Sequence, residues 1–166
     1  MATTIEKFDS TGGFSIDKTV IVDELRNGRD FNTFEIKNSE FTDSKAVQYI
    51  LRGINTAVLQ LDQNGTQIVI ENNTINFITG NIIGVNPLGQ IYNAKLESAV
   101  FCNASGTTSL LSTMTTVIKD DIPAGQTWSV EPLAGANVFS YNTTRAGTTN
   151  TIKWLAHTQV VSIDWA

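Results

Sequence analysis

The chain has 166 residues, 16% of them charged, and a formal net charge of −5. Its 11 Lys and Arg are scattered singly, which argues against a nucleic-acid surface, where clustered cations must neutralise phosphates. No run of about 18 apolar residues occurs, and the start Met-Ala-Thr-Thr-Ile-Glu-Lys lacks the apolar core of a signal peptide, so no membrane span and a cytosolic place of synthesis are expected.

The 22 Thr, 17 Ile and 12 Val make nearly a third of the chain β-branched, and 15 Asn with 12 Gly supply turns, a composition suited to sheets. One domain of this size buries about 68 to 70% of the surface its unfolded chain exposes and needs no staple. Charges thin out along the chain, 18 in residues 1–83 and 9 in residues 84–166. A weakly charged β surface with open edges is prone to associate.

In chain order, residues 1–13 are poor in large apolar side chains and end in Thr11-Gly12-Gly13, which reads as an extended N-terminal arm before a single domain over 14–166. A strand is predicted over 14–25, with an Asn27-Gly28 turn into 30–36 that brings Ile21 opposite Phe34. Val47, Ile50, Leu51 and Ile54 fall at i, i+3, i+4 and i+7, with Thr42 or Asp43 as cap and Gly53 as stop, so one short helix is predicted over 43–52. Asn64-Gly65 signals a two-residue I′ hairpin, pairing Gln63 with Thr66, Leu61 with Ile68 and Leu59 with Ile70. Two strands follow, over 74–79 and 82–85. Asn86-Pro87-Leu88-Gly89 is a type I turn. The longest alternation runs over 90–102 and sends Tyr92, Ala94, Leu96, Ser98, Val100 and Cys102 to the core side. A weakly alternating strand over 107–119 leads to the turn Ile122-Pro123-Ala124-Gly125, and strands over 126–131, 138–141, 151–156 and 159–165 complete the set. The expected fold is mainly β, an antiparallel β-sandwich or jelly roll with that one helix.

The chemistry-bearing residues are few. A Ser-His-Asp or Cys-His arrangement would have to use His157, the one histidine, which reads as a loop or surface residue. Cys102 is alone, so no intrachain disulfide or multi-cysteine metal site forms, and it falls on the inward side of its strand as a small packed hydrophobe. Asp23-Glu24, Asp30, Asp43 and Asp120-Asp121 are acids at turns and caps, and no calcium-loop or phosphate-loop spacing occurs. No catalytic group, cofactor or metal ligand is expected, and no enzyme activity. The remaining handle is aromatic: Tyr92, Trp128, Tyr141, Trp154 and Trp165 would be the stacking platform of a carbohydrate-binding or host-recognition module. Against this, Trp128 alternates with Val130, Trp154 with Ile152, and Trp165 with Ile163 and Val161, which puts the indoles on aliphatic faces.

The polar arm ending in Gly12-Gly13, the Thr/Asn-rich β body, the Ile122-Pro123-Ala124-Gly125 turn before a strand and the apolar final strand together resemble small virion proteins of tailed bacteriophages: capsid decoration (cement), head-fibre or tail-associated proteins. That resemblance implies a non-enzymatic structural subunit, located in the virion and assembled in the host cytoplasm. Its partners would be copies of itself, as a trimer, and other virion proteins. Arm residues Thr3, Thr4, Ile5, Phe8, Gly12 and Gly13 are then the expected contacts, together with the low-charge C-terminal half.

Overall fold

The structure is a computed structural model that describes residues 14–16, 19–22, 28 and 31–166. The arm residues 1–13, contacts Thr3, Thr4, Ile5, Phe8, Gly12 and Gly13 included, lie outside the described residues, as do Asp23, Glu24 and Asp30. The chain forms two compact units, Met1–Asn32 and Thr33–Ala166. In the first, β1 (Phe14–Ile16) and β2 (Thr19–Val22) pair as an antiparallel hairpin, so the single strand expected over 14–25 is two. Val22 also bridges Gly28.

The second unit holds ten strands: β3 (Thr33–Ile36), β4 (Ser44–Ile54), β5 (Ala57–Val58), β6 (Ile68–Val69), β7 (Thr74–Val85), β8 (Ile91–Cys102), β9 (Thr108–Asp120), β10 (Thr127–Gly135), β11 (Val138–Ala146) and β12 (Lys153–Asp164). A large sheet has the order β3-β4-β12-β7-β8-β9, and a small one joins β10 and β11 to β5 and β6. Every pairing is antiparallel. The two sheets form a β-sandwich around one core: Leu51, Ile78, Ile82, Leu96, Val100 and Trp154 from the large sheet meet Val130, Phe139 and Tyr141 of the small one, with Leu59 and Ile70.

Several local expectations are corrected. There is no helix over 43–52; that segment is β4, between β3 and β12. Val47 and Leu51 point into the core while Ile50 and Ile54 lie on the exposed face, and apolar residues on both faces of a strand imitate helical spacing. The Asn64-Gly65 hairpin does not form either. The Leu61 N–H donates to the Thr66 carbonyl at 2.8 Å, so Leu61 faces Thr66 and not Ile68. Of the two turn residues only Gly65 has positive φ, 85°, where an I′ turn needs both. The Asp62 carboxylate decides the outcome by accepting from the N–H of Asn64 (2.8 Å), the N–H of Thr66 (3.1 Å) and the Thr66 hydroxyl (2.8 Å). The Thr66 bonds hold its carboxyl below the usual carboxylate range. β5 and β6 then run in one direction along the same edge of β11. Leu59, Ile68 and Ile70 reach the core all the same, with Leu61 packed against it.

β3 pairs with β4, with Phe34 opposite Gln48. The strands expected over 74–79 and 82–85 are one, because Gly80 and Gly84 sit inside β7 as seats for the Tyr141 phenol and the Trp154 indole. The strands expected over 151–156 and 159–165 are likewise the one strand β12. Asn86-Pro87-Leu88-Gly89 turns as expected, with the Gly89 N–H donating to the Asn86 carbonyl at 3.0 Å.

Tyr141 carries a pH signature. Burial pushes its phenol up to about 12, although the Thr158 hydroxyl, 3.2 Å away, acts in the opposite sense. Below pH 10 the phenol is neutral in both folded and unfolded chains. Between pH 10 and about 12 the unfolded chain ionises first, so stability falls as pH rises, by up to about 3 kcal/mol from this group. Tyr141→Phe should cost about 1 kcal/mol near neutrality, through the orphaned Thr158 hydroxyl, and should make the alkaline fall shallower. Urea unfolding of both proteins at about pH 9 and about pH 12 measures the difference. Equal slopes would show that the phenol ionises freely.

Candidate functional site

Side chains alternate strictly along the central strands, and the odd-numbered residues of β7, β8 and β12 face away from the core. In an ordinary half-wet sheet that face is polar. Here one end of it is apolar. Register places Ile36, Ala46, Val161, Phe77 and Ala99 side by side across five strands, β3 to β8 in sheet order. The next row holds Ile163, Ile75 and Phe101, and Trp165 stacks on Phe101 with ring centroids 5.6 Å apart. Phe77 is 60% exposed and Trp165 49%.

A polar band follows, in which His157 Nε2 lies 3.3 Å from Gln48 Oε1 and Lys95 Nζ lies 2.9 Å from Glu97 Oε1. The apolar end leads toward β9 through a depression of about 340 Å³ lined by Phe77, Glu97, Ala99, Ser112 and Met114. β9 is the last strand of the large sheet, and its residues from Ser109 to Asp120 are exposed on both faces. Leu111 and Ile118 are each about 60% exposed.

The five aromatics of the carbohydrate reading do not share a surface. Tyr92, Trp128, Tyr141 and Trp154 are buried in the core, where the Trp154 indole meets Tyr92 and Trp128 edge-on at 5.9 and 6.4 Å. Trp165 does lie on the face of Ile163 and Val161, and that face is the exposed one. The platform is therefore corrected to one exposed indole already stacked on a phenylalanine.

The titratable residues are arranged for structure. His157 lies on β12, opposite Ile50 and Asn81 and beside the Gln48 amide, with no carboxylate among the described residues as partner. Cys102 is buried, its thiol 3.9 Å from the Ile70 carbonyl. Asp120 accepts the Ile122 N–H at 3.2 Å, as a turn residue does. Asp43, expected as a helix cap, instead offers its carbonyl to the Asp164 N–H at 2.7 Å. Lys45 bonds Glu71 at 2.6 Å, with Glu35 at 3.6 Å. Burial pulls the Lys45 ammonium down, and the Glu71 hydrogen bond and charge more than reverse this, leaving its pKa raised. Among the described residues no three His, Cys, Asp or Glu come together to hold a metal.

The apolar end of the outer face and the β9 edge were not picked out by sequence reasoning. The available signals were the shortage of charge after residue 83 and the apolar residues at both parities of β4 and β9.

No protein-family model matches the chain, and no curated protein matches it. Among solved structures it is similar to the tailspike protein gp49 of Acinetobacter baumannii bacteriophage Fri1, a capsular polysaccharide depolymerase, at 16% identity and a TM-score of 0.45. The match covers 87% of this chain and 22% of that one, so the chain spans about a fifth of that protein's length.

Proposed function

We propose that the chain is a non-enzymatic structural subunit of a viral particle, a capsid decoration or other head or tail component, which works by protein–protein contact with its own copies and with other virion proteins. The observation that carries this reading is the apolar end of the outer sheet face, where Ile36, Val161, Phe77, Ile163 and Trp165 are exposed together. A contiguous patch of that kind, bordered by a polar band, is the mark of an interaction surface. The resemblance to tailed-phage virion proteins supplies the kind of assembly. A glycan platform has less support, since four of the five rings that would build it are in the core.

Phe77→Asp tests the reading at the centre of the patch. The side chain is exposed, so the fold should survive with an unchanged unfolding midpoint. Association should weaken by about 2 kcal/mol or more, roughly thirtyfold, because a carboxylate would be buried where a ring was. Sedimentation equilibrium of the purified chain, followed by imaging of particles carrying either protein, reads both effects. A monomer that binds polysaccharide and is indifferent to Phe77→Asp would overturn the proposal.

A further inference from the structure

We infer that β9 is a self-complementary edge that pairs antiparallel with β9 of a second copy of this chain, about a two-fold axis at Met114. The inference rests on the reading of the chain as an assembly subunit and supplies a partner surface for it.

Among the described residues no strand pairs with the outer edge of β9, whose first N–H, that of Thr108, is taken by the Ala136 carbonyl between β10 and β11 at 2.8 Å. Its 13 residues span about 43 Å at about 3.3 Å each, and such an edge turns the N–H and C=O of every second residue outward. Free edges are ordinarily blunted by Lys, Pro or inward charges. From Thr108 to Ile118 there is no charge and no Pro, so two copies can meet without opposing like charges.

The side chains read alike from both ends. About Met114, Thr113 mirrors Thr115, Ser112 mirrors Thr116, Leu111 mirrors Val117 and Leu110 mirrors Ile118. A two-fold axis there sets hydroxyl against hydroxyl, aliphatic against aliphatic and Met114 against itself, which is the residue-to-residue reciprocity of an isologous contact. The backbone follows this symmetry to within one residue. The register of β9 on β8 slips twice, leaving Leu111 and Ile118 without partners, three residues before and four after Met114. A bulge bends an edge. A two-fold at Met114 sets Leu111 opposite Val117 and Ile118 opposite Leu110, so the two bends fall one residue out of step across the axis. A trimer built from head-to-tail contacts would set β9 against a different surface and would make no use of the mirrored order.

The test uses the full chain carrying Met114→Cys or Leu111→Cys, mildly oxidised and analysed by non-reducing electrophoresis and intact mass. Across the axis residue 114 faces itself at about 4.5 to 5.5 Å between Cα atoms, within disulfide reach. Two copies of residue 111 would stand about 20 Å apart, beyond it. Buried Cys102 is common to both proteins. Met114→Cys should convert most chains to covalent dimer, and Leu111→Cys about tenfold fewer, as that separation requires.

A second pair of variants checks the register. Thr113→Lys with Thr115→Lys opposes like charges across the axis and should reduce the protein to monomer, whereas Thr113→Lys with Thr115→Glu opposes unlike charges and should restore the dimer. Equal cross-linking of the two cysteine variants, or charge variants of equal mass, would overturn the inference. If the chain associates with no cross-link at 114, the β9 contact fails and the assembly-subunit reading stands. A chain that stays monomeric and is absent from particles would end both.

Discussion

Replacing Trp154 with Ala is expected to destabilise the protein by about 3 to 5 kcal/mol, the range for removing a large buried ring. That is a large part of the roughly 5 to 15 kcal/mol that holds a domain folded. The side chain is 1% exposed, donates its indole N–H to the Asn55 carbonyl at 2.8 Å, and meets Tyr92 and Trp128 edge-on. Its neighbours on both sides in the sheet are glycines, Gly53 on β4 and Gly84 on β7. A Cβ on Gly84 would lie 2.5 to 2.9 Å from three atoms of the indole, so the ring occupies the space that a β7 side chain would fill, while the space over Gly53 is taken by Leu59. Neither glycine has a side chain of its own to move in when the ring goes, and most of the cavity should persist. Urea unfolding at constant m-value measures this. A loss under about 1 kcal/mol would mean that the surroundings collapse into the space. Trp154→Phe should fall between, keeping most of the packing and leaving the Asn55 carbonyl short of a donor.

The second large effect is expected at Gly80 on β7. A Cβ there would land on the Tyr141 phenol oxygen and 2.7 Å from its Cζ. Tyr141 cannot swing aside, because its ring is wedged against Phe139 at 5.2 Å and its hydroxyl is engaged by Thr158. Gly80→Val should therefore cost about 3 kcal/mol or more, at or beyond the upper end for overpacking. Gly135 is the control: a Cβ there meets nothing within 4 Å, and Gly135→Ala should leave stability unchanged or slightly raised. The pair separates steric conflict from a general intolerance of side chains at glycines. Similar unfolding midpoints for both would mean that the two sheets can part locally.

Much of the sandwich was legible because burial on one face writes alternation into a strand. β8 is the clearest instance: each residue assigned to the core from Tyr92 to Cys102 is buried. Trp128 and Trp154 followed their aliphatic neighbours inward for the same reason. Alternation failed where both faces of a strand carry apolar residues. In β4 that pattern imitated a helix, and in β9 it left only a weak signal, since neither face of that edge is covered. Turn chemistry failed once, at Asn64-Gly65, because the dipeptide rule ignores an Asp two residues upstream whose carboxylate can claim the same backbone N–H groups. Gly80 and Gly84 could not be read as seats for rings from sequence, since Tyr141 and Trp154 lie 61 and 70 residues away. The candidate surface was the least legible part. Period-2 reasoning placed Trp165 with Ile163 and Val161 correctly, but which of two apolar faces is covered depends on the size of the second sheet, and no local pattern encodes that.

The position of β12 between β4 and β7 has a consequence for how the molecule forms. β7, β8 and β9 are consecutive and can zip together through short connections, and β3 and β4 likewise. Neither group touches the other in the large sheet until β12 enters between them, pairing Val160 with Val47 across 113 residues of chain and with Ile78 across 82. Closing loops of that length is the slow, entropically costly step in β proteins. β12 is thus the seam of the sheet, and until it is sewn in the chain exists as two half-sheets with raw inner edges, the state in which this protein is most open to mispairing.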